Sequence, residues 1–243
     1  MIQAITDREY RVLAIIDKLR ICRTNDLAWL AGYTDYSYCR KGIKKLENMR
    51  LIQSERDFSG AKCCFLTSRG LSRIEKATHH PYEISSTTNH ALEVSVVCAW
   101  LCATKAANIF DMLTDSDLKR MYSKKAHCPD IVYDGIAYEI ELNRKKHSVV
   151  ESNLLANEKF GQQIWIVPDK SKNIRTNLIS AAKNVAVNLE IISLETIEHE
   201  LSNANVHSNV FHKQRGVSAH FIEPEHSTAI KYSSYFQALE GKT

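Results

Sequence analysis

Apolar positions in the first 75 residues recur mostly at helical spacing. Val12, Ile15, Ile16 and Leu19 lie three and four apart behind Thr6 and Glu9, a pair that reads as a capping box, so a helix is predicted to open there. Thr24-Asn25-Asp26 opens a second short helix holding Leu27, Trp29 and Leu30, and Gly32 ends it. Cys39, Ile43, Leu46 and Met49 form the stripe of a third helix over roughly 37–49. Arg40, Lys41, Lys44 and Lys45 lie off that stripe, with Tyr38 beside them. Strand-like runs then flank a turn: Leu51–Glu55 and Lys62–Leu66 around Phe58-Ser59-Gly60 predict a hairpin. Thr67-Ser68-Arg69-Gly70 opens a further short helix, and the polar, Ser/Thr-rich stretch 79–88 reads as a linker.

The pattern beyond residue 88 mixes both periods. Asn89 is predicted to cap a long helix to about Ala106, buried along Ala91, Val94, Val97, Cys98, Leu101 and Cys102. Ile109–Leu113 reads as a short strand and Asp115–Lys125 as a polar, basic loop or short helix. Ile131–Tyr133 and Ile136–Leu142 flank Asp134-Gly135, a strong two-residue hairpin signal. Ser148 starts a helix to about Phe160. Gln163–Val167 is an unbroken apolar run stopping at Pro168, as in a buried parallel strand. A helix over Lys172–Val185 and a strand over Leu189–Ser193 follow. Beyond Asn203 the chain is polar, with irregularly spaced His207, His212, His220 and His226. The order α-β-β-β-α-β, then α-β, places the fold class at α+β or α/β with a mixed sheet.

Composition narrows the class. With 243 residues, 44% apolar and 25% charged, the chain can build one large or two small cores, which excludes disordered, collagen and solenoid classes. The longest apolar stretch, Ala91–Ala103, carries Glu93 and is too short to span a bilayer, and MIQAITDREY holds no signal-peptide core. Seven Cys without a C-x-x-C pair argue against a disulfide framework or a thiolate zinc site. The expectation is a reduced, soluble, cytoplasmic protein without membrane insertion. Charge is uneven: residues 1–75 carry 14 Lys and Arg against 9 Asp and Glu, a balance of +5, whereas residues 76–243 carry 18 against 19. A basic first third suggests a nucleic-acid-binding module; the alternative is an uneven solvated surface.

Three helices followed by a hairpin, over about residues 6–76, resemble a winged helix-turn-helix. Its third helix would turn Tyr38, Arg40, Lys41, Lys44 and Lys45 toward a major groove, with Lys62 of the hairpin also at the DNA. A winged helix used for protein contacts is the alternative. The expected organisation is a winged-helix domain over 1–78, a linker over 79–88, a second domain over 89–203 and a tail over 204–243.

The candidate chemistry lies in the segment from Pro129-Asp130 to Glu139-Ile140-Glu141. Alternation along a strand turns Glu139 and Glu141 to one face, where they repel unless a cation sits between them. Across the Asp-Gly turn Asp130 can approach both. Three carboxylates around one point suit Mg2+ or Mn2+ with positions left for water and phosphate. Taken singly, Asp130 could be a turn cap and the two Glu the wet face of a hairpin.

Pro-Asp, a gap, then Glu-x-Glu in an αβββαβ frame resembles the PD-(D/E)xK nuclease fold, also called restriction-endonuclease-like. The position usually held by Lys is Glu141 here. The resemblance implies that a Lys from the next helix, Lys159, takes its role, with Lys145 and Lys146 as alternatives, and that His90 and Glu93 on the preceding helix can join the site. The winged helix together with this pattern resembles the replication-relaxation family, most of all the MOBC plasmid relaxases, over about residues 6–200. That likeness implies a metal-dependent enzyme that nicks one DNA strand at a plasmid origin of transfer, in company with other relaxosome proteins during mobilisation or conjugation. The attacking group is water or a Tyr. Tyr133 and Tyr138 point away from the acidic face by parity, and Tyr122 is the freer candidate. Two other readings stand beside it: a non-catalytic winged-helix regulator or replication protein with a degenerate nuclease-like domain, and a double-strand endonuclease.

Overall fold

In a computed structural model the described residues are 4–57, 60–76, 79–122 and 127–204. Phe58 and Ser59 of the first hairpin turn and the predicted tail, apart from Ala204, lie outside them. Helix α1 (Asp7–Leu19) opens on the expected capping box: Glu9 N donates to Thr6 Oγ1, and Thr6 N donates to Glu9 Oε2 at 2.7 Å. Strand β1 (Ile21–Arg23) follows, then α2 (Asp26–Leu30), α3 (Tyr36–Asn48), β2 (Ile52–Arg56), β3 (Lys62–Leu66) and α4 (Ser68–Arg73). β1 was not foreseen, because three residues show no alternation. It pairs antiparallel with β3 to give a sheet of order β1-β3-β2.

Helix α5 (Thr88–Thr104) starts one residue before the expected cap, so Asn89 lies inside its first turn. The one-sided burial expected of it is also corrected. Leu92, Ser95, Val96, Ala99 and Trp100 are buried along with Val97, Cys98 and Leu101, because α2 and β1 flank the helix on one side and the second sheet on the other. The run 109–113, expected as one strand, is a 3-10 turn (Ile109–Asp111) leading into β4 (Leu113–Thr114), and α6 (Asp115–Met121) follows. Then come β5 (Ile131–Tyr133), β6 (Ile136–Ile140), α7 (His147–Asn157), β7 (Gln162–Val167), α8 (Lys172–Val185), β8 (Glu190–Ser193) and an unforeseen α9 (Leu194–Asn203). The second sheet has order β4-β5-β6-β7-β8. Its first two pairings are antiparallel and its last two parallel, and the apolar β7 is an interior strand paired on both edges.

The result is a mixed α+β protein with a mixed sheet. One apolar core runs from Val12 and Leu46 through Val97 and Leu101 to Tyr138 and Ile166, so α5 is shared by both parts of the chain. Among the described residues no helix is long and apolar enough to cross a membrane. All seven cysteines are free thiols.

A charged cluster crosses the same junction. Arg23 of β1 lies 2.6 Å from Glu93 of α5, 3.1 Å from Glu198 of α9 and 3.8 Å from Asp57. Beside it Ser95 Oγ donates to Asp26 Oδ2 at 2.8 Å. Burial pushes the Asp26 carboxyl up to about 7, against the hydrogen bond from Ser95 and the Arg23 charge. Between the ordinary carboxylate range and pH 7 the folded chain therefore holds a proton that the unfolded chain has lost. Stability from this group is greatest in acid and falls as pH rises to about 7. Asp26→Asn retains an acceptor for Ser95 and removes the ionisation. Between pH 5 and pH 8 the variant is expected to lose less unfolding free energy than wild type, by roughly 3 kcal/mol for about two pKa units. Urea unfolding at the two pH values measures this; equal losses in both proteins would refute it.

Candidate functional site on the β5–β6 hairpin

Asp134 and Gly135 take φ of 51° and 77°, the left-handed conformation that a two-residue hairpin turn requires. The turn fixes the register Ile131↔Tyr138, Val132↔Ala137 and Tyr133↔Ile136. One step further along, Asp130 stands opposite Glu139. Ile131, Tyr138 and Ile140 belong to the main core, while Val132 and Ala137 meet Leu118 and Phe160 on the other face, which is the side carrying the acidic residues.

Asp130 Oδ2 accepts from Ile140 N at 2.7 Å and lies 3.3 Å from His90 Nε2 at the start of α5. The hydrogen bond to Asp130 chiefly raises His90, to about 8. Glu139 and Glu141 are 4% and 3% exposed. The Lys145 ammonium sits 2.7 Å from Glu141 Oε2 and 3.7 Å from Glu139 Oε1, and His127 Nε2 is 3.5 Å from Glu139 Oε2. Burial, then the Asp130 charge, pushes the Glu139 carboxyl up. Burial pulls the Lys145 ammonium down, but its bond to Glu141 and the Glu139 charge outweigh that, and it ends above its ordinary value. Lys145 and His90, each more than a third exposed as side chains, form the solvent side of the cluster.

The cation required between the two glutamates is thus the Lys145 ammonium. Lys159 is elsewhere: its Nζ lies 4.4 Å from the Tyr122 ring centroid and 5.0 Å from that of Phe160. α7 ends at Asn157 and Lys159 falls in a 3-10 turn, out of phase with the helix that was to present it. Lys146 is the residue just before α7. Glu93 also leaves the expected set. His90 turns to the hairpin and Glu93 to Arg23, because the surroundings of α5 differ on each side.

Among the described residues no group of three or more His, Cys, Asp or Glu is gathered closely enough to hold a metal ion. Glu141 is committed to Lys145. Asp130 and Glu139 remain as a facing pair, and Glu139 Oε2 is buried with the His127 ring nitrogen 3.5 Å away. Asp130 and Glu139 are hard oxygen donors of the kind that would hold Mg2+ or Mn2+.

On α3, Tyr38 is exposed, Arg40 lies over the Tyr36 ring at 4.5 Å, Lys41 over the Tyr38 ring at 5.3 Å, and Lys44 is mostly exposed with its ammonium 3.7 Å from Glu47. Two further expected DNA contacts are held more closely within the protein. Lys45 turns back to Glu9 Oε2 at 2.7 Å and Ala4 O at 2.9 Å, and Lys62 pairs with Glu47 at 2.6 Å. Arg50, which lies past the helical stripe and so gave no periodic signal, lines an open cleft with Lys44, Ser54 and Thr67.

Compared with known proteins, the chain matches no protein-family model, no curated protein and no solved structure.

Proposed function

We propose that the protein is a divalent-metal-dependent DNA-nicking enzyme of the relaxase kind, which cuts one strand at a plasmid origin of transfer. The N-terminal helices and three-stranded sheet act as a winged helix on duplex DNA, and the mixed-sheet part acts as a PD-(D/E)xK-like nuclease. One observation carries the reading: Asp130 faces Glu139 across a tight hairpin, with a lysine ammonium beside the buried Glu139 carboxylate. Asp130 and Glu139 would hold Mg2+ or Mn2+, and such an ion, when bound, polarises a phosphoryl oxygen and lowers the pKa of water. Lys145 offsets negative charge developing on the scissile phosphate. His90 and the Ile140 amide fix the Asp130 carboxylate. Arg40, Lys41 and Lys44 meet backbone phosphates of the docked duplex.

The test is a supercoiled plasmid carrying the cognate origin, incubated with protein and Mg2+ or Mn2+. Open circles are expected with metal and none with chelator, while linear product would mean double-strand cleavage. A regulator without catalysis is the second reading. The closed Lys145–Glu141 salt bridge favours it, since a cluster neutralised by its own lysine needs no metal. DNA binding with no conversion under any divalent ion would establish that reading.

The α3 assignment has its own check. Arg40→Ala and Lys41→Ala are each expected to weaken DNA binding and lower the slope of log affinity against log salt by about 1, with thermal stability unchanged. Lys45→Ala is expected to lower thermal stability instead, because Glu9 loses its partner. Equal effects of all three on DNA binding would contradict the division.

A further inference from the structure

We infer that Asn177 of α8 is the positioning residue for Lys145, acting through the backbone of the loop that carries it; this rests on the reading of the hairpin as a cleavage site. Residues 141–146, between β6 and α7, have no regular structure. Lys146, just before α7, makes no side-chain capping bond. Glu141 N still donates to Ile166 O at 2.9 Å, which holds the start of the loop to β7. At its far end Asn177 Nδ2 donates to the Lys145 carbonyl at 3.1 Å.

Asn177 is held in turn. A carbonyl oxygen only accepts, so the Asn177 amide must aim its nitrogen at Lys145 and its oxygen at the other neighbour. That neighbour is His147 Nδ1, 2.7 Å away, which must then carry the proton. His147 Nε2 lies 3.0 Å from Asn184 Nδ2, one heptad beyond Asn177 on α8, and Asn184 Nδ2 also donates to Glu151 at 3.0 Å. The orientations of Asn177 and of His147 Nδ1 are fixed by the Lys145 carbonyl, the His147 ring is further held at Nε2 by Asn184 and by Glu151 at 3.3 Å, and the line ends on the residue whose ammonium meets Glu139 and Glu141. None of the three supporting residues is among those contacting the carboxylates. Their part is to keep the Lys145 backbone at one point, so that a long flexible side chain reaches both glutamates.

Asn177→Leu removes both hydrogen bonds at similar volume. The readouts are nicking of the origin plasmid, with turnover separated from DNA affinity, and acetylation of individual lysines by acetic anhydride, followed by peptide mass spectrometry. Lys145 is expected to acetylate several-fold faster than in wild type, while Lys183 on the same helix is unchanged. Turnover at saturating DNA is expected to fall about 10- to 100-fold with DNA affinity retained, the usual loss when an outer supporting residue is removed. His147→Ala, which frees Asn177 without touching the loop, is expected to move both readouts the same way and serves if the first variant melts early. Acetylation of Lys145 at the wild-type rate in a folded variant overturns the inference. Should wild type make no nicks, the nicking reading fails, and Lys145 acetylation still decides whether Asn177 positions it.

Discussion

Glu139→Gln is expected to abolish metal-dependent nicking while leaving the protein folded. The substitution keeps the shape of a side chain that is 4% exposed and removes a charge facing Asp130 across the hairpin. Two effects on activity follow. Under the proposed function the facing pair would lose its second anionic oxygen donor, and a scissile phosphate would lose the charge balance built around Lys145. Metal-type stabilisation of a phosphoryl transition state is worth several kcal/mol, so the rate is expected to fall on the order of 1000-fold or more. Stability is expected to hold or rise, because a buried carboxylate is costly and the groups facing Glu139, His127 at 3.5 Å and Lys145 at 3.7 Å, stand at the limit of direct contact. Lys145 keeps its 2.7 Å contact with Glu141. Conversion of supercoiled to open-circle plasmid, beside a thermal melt, measures both. A variant that nicks at the wild-type rate removes the hairpin as the catalytic centre.

The largest effect on stability is expected at Arg23. Its guanidinium joins β1, α5, α9 and the segment after β2 through Glu93, Glu198 and Asp57, with a side chain only 16% exposed. Deleting it leaves Glu93, whose carboxyl burial already pushes up, with no cation in contact. Breaking a buried pair in this way costs about 3–5 kcal/mol. At roughly 2–4 °C per kcal/mol for a chain of this size, Arg23→Ala is expected to lower the Tm by about 10 °C. The double variant Arg23→Met, Glu93→Leu removes both charges and is expected to recover much of the loss, since apolar replacements of buried ion pairs are often neutral. A loss below about 1 kcal/mol for Arg23→Ala would show the cluster to be as weak as an exposed pair.

The reach of sequence reasoning differs between elements. Thr6 with Glu9, the Asp134-Gly135 turn and the apolar run 163–167 each carry their instruction within a few residues: a cap, a left-handed turn, a strand buried on both faces. The parity that puts Glu139 and Glu141 on one face is of the same kind. Failures occur where a residue's neighbour is distant in the chain. α5 reads as one-sided in its own sequence, yet it is enclosed by α2, β1, α9 and the second sheet. β1 is a strand only because β3 lies beside it, and α9 was not expected.

The same division runs through the site. Local spacing determined that two glutamates would share a face and that a tight turn would bring Asp130 back toward them, because backbone geometry alone enforces both. Which cation meets those carboxylates was settled only by the folded chain. Lys145 arrives from the loop after β6, Lys159 is carried off to the Tyr122 ring, Lys45 is spent on Glu9, and Glu93 goes to Arg23. Long charged side chains have many rotamers and similar attraction to any carboxylate in reach. Their partners are therefore chosen by which segments packing brings within a few ångströms, information that no spacing along the sequence contains.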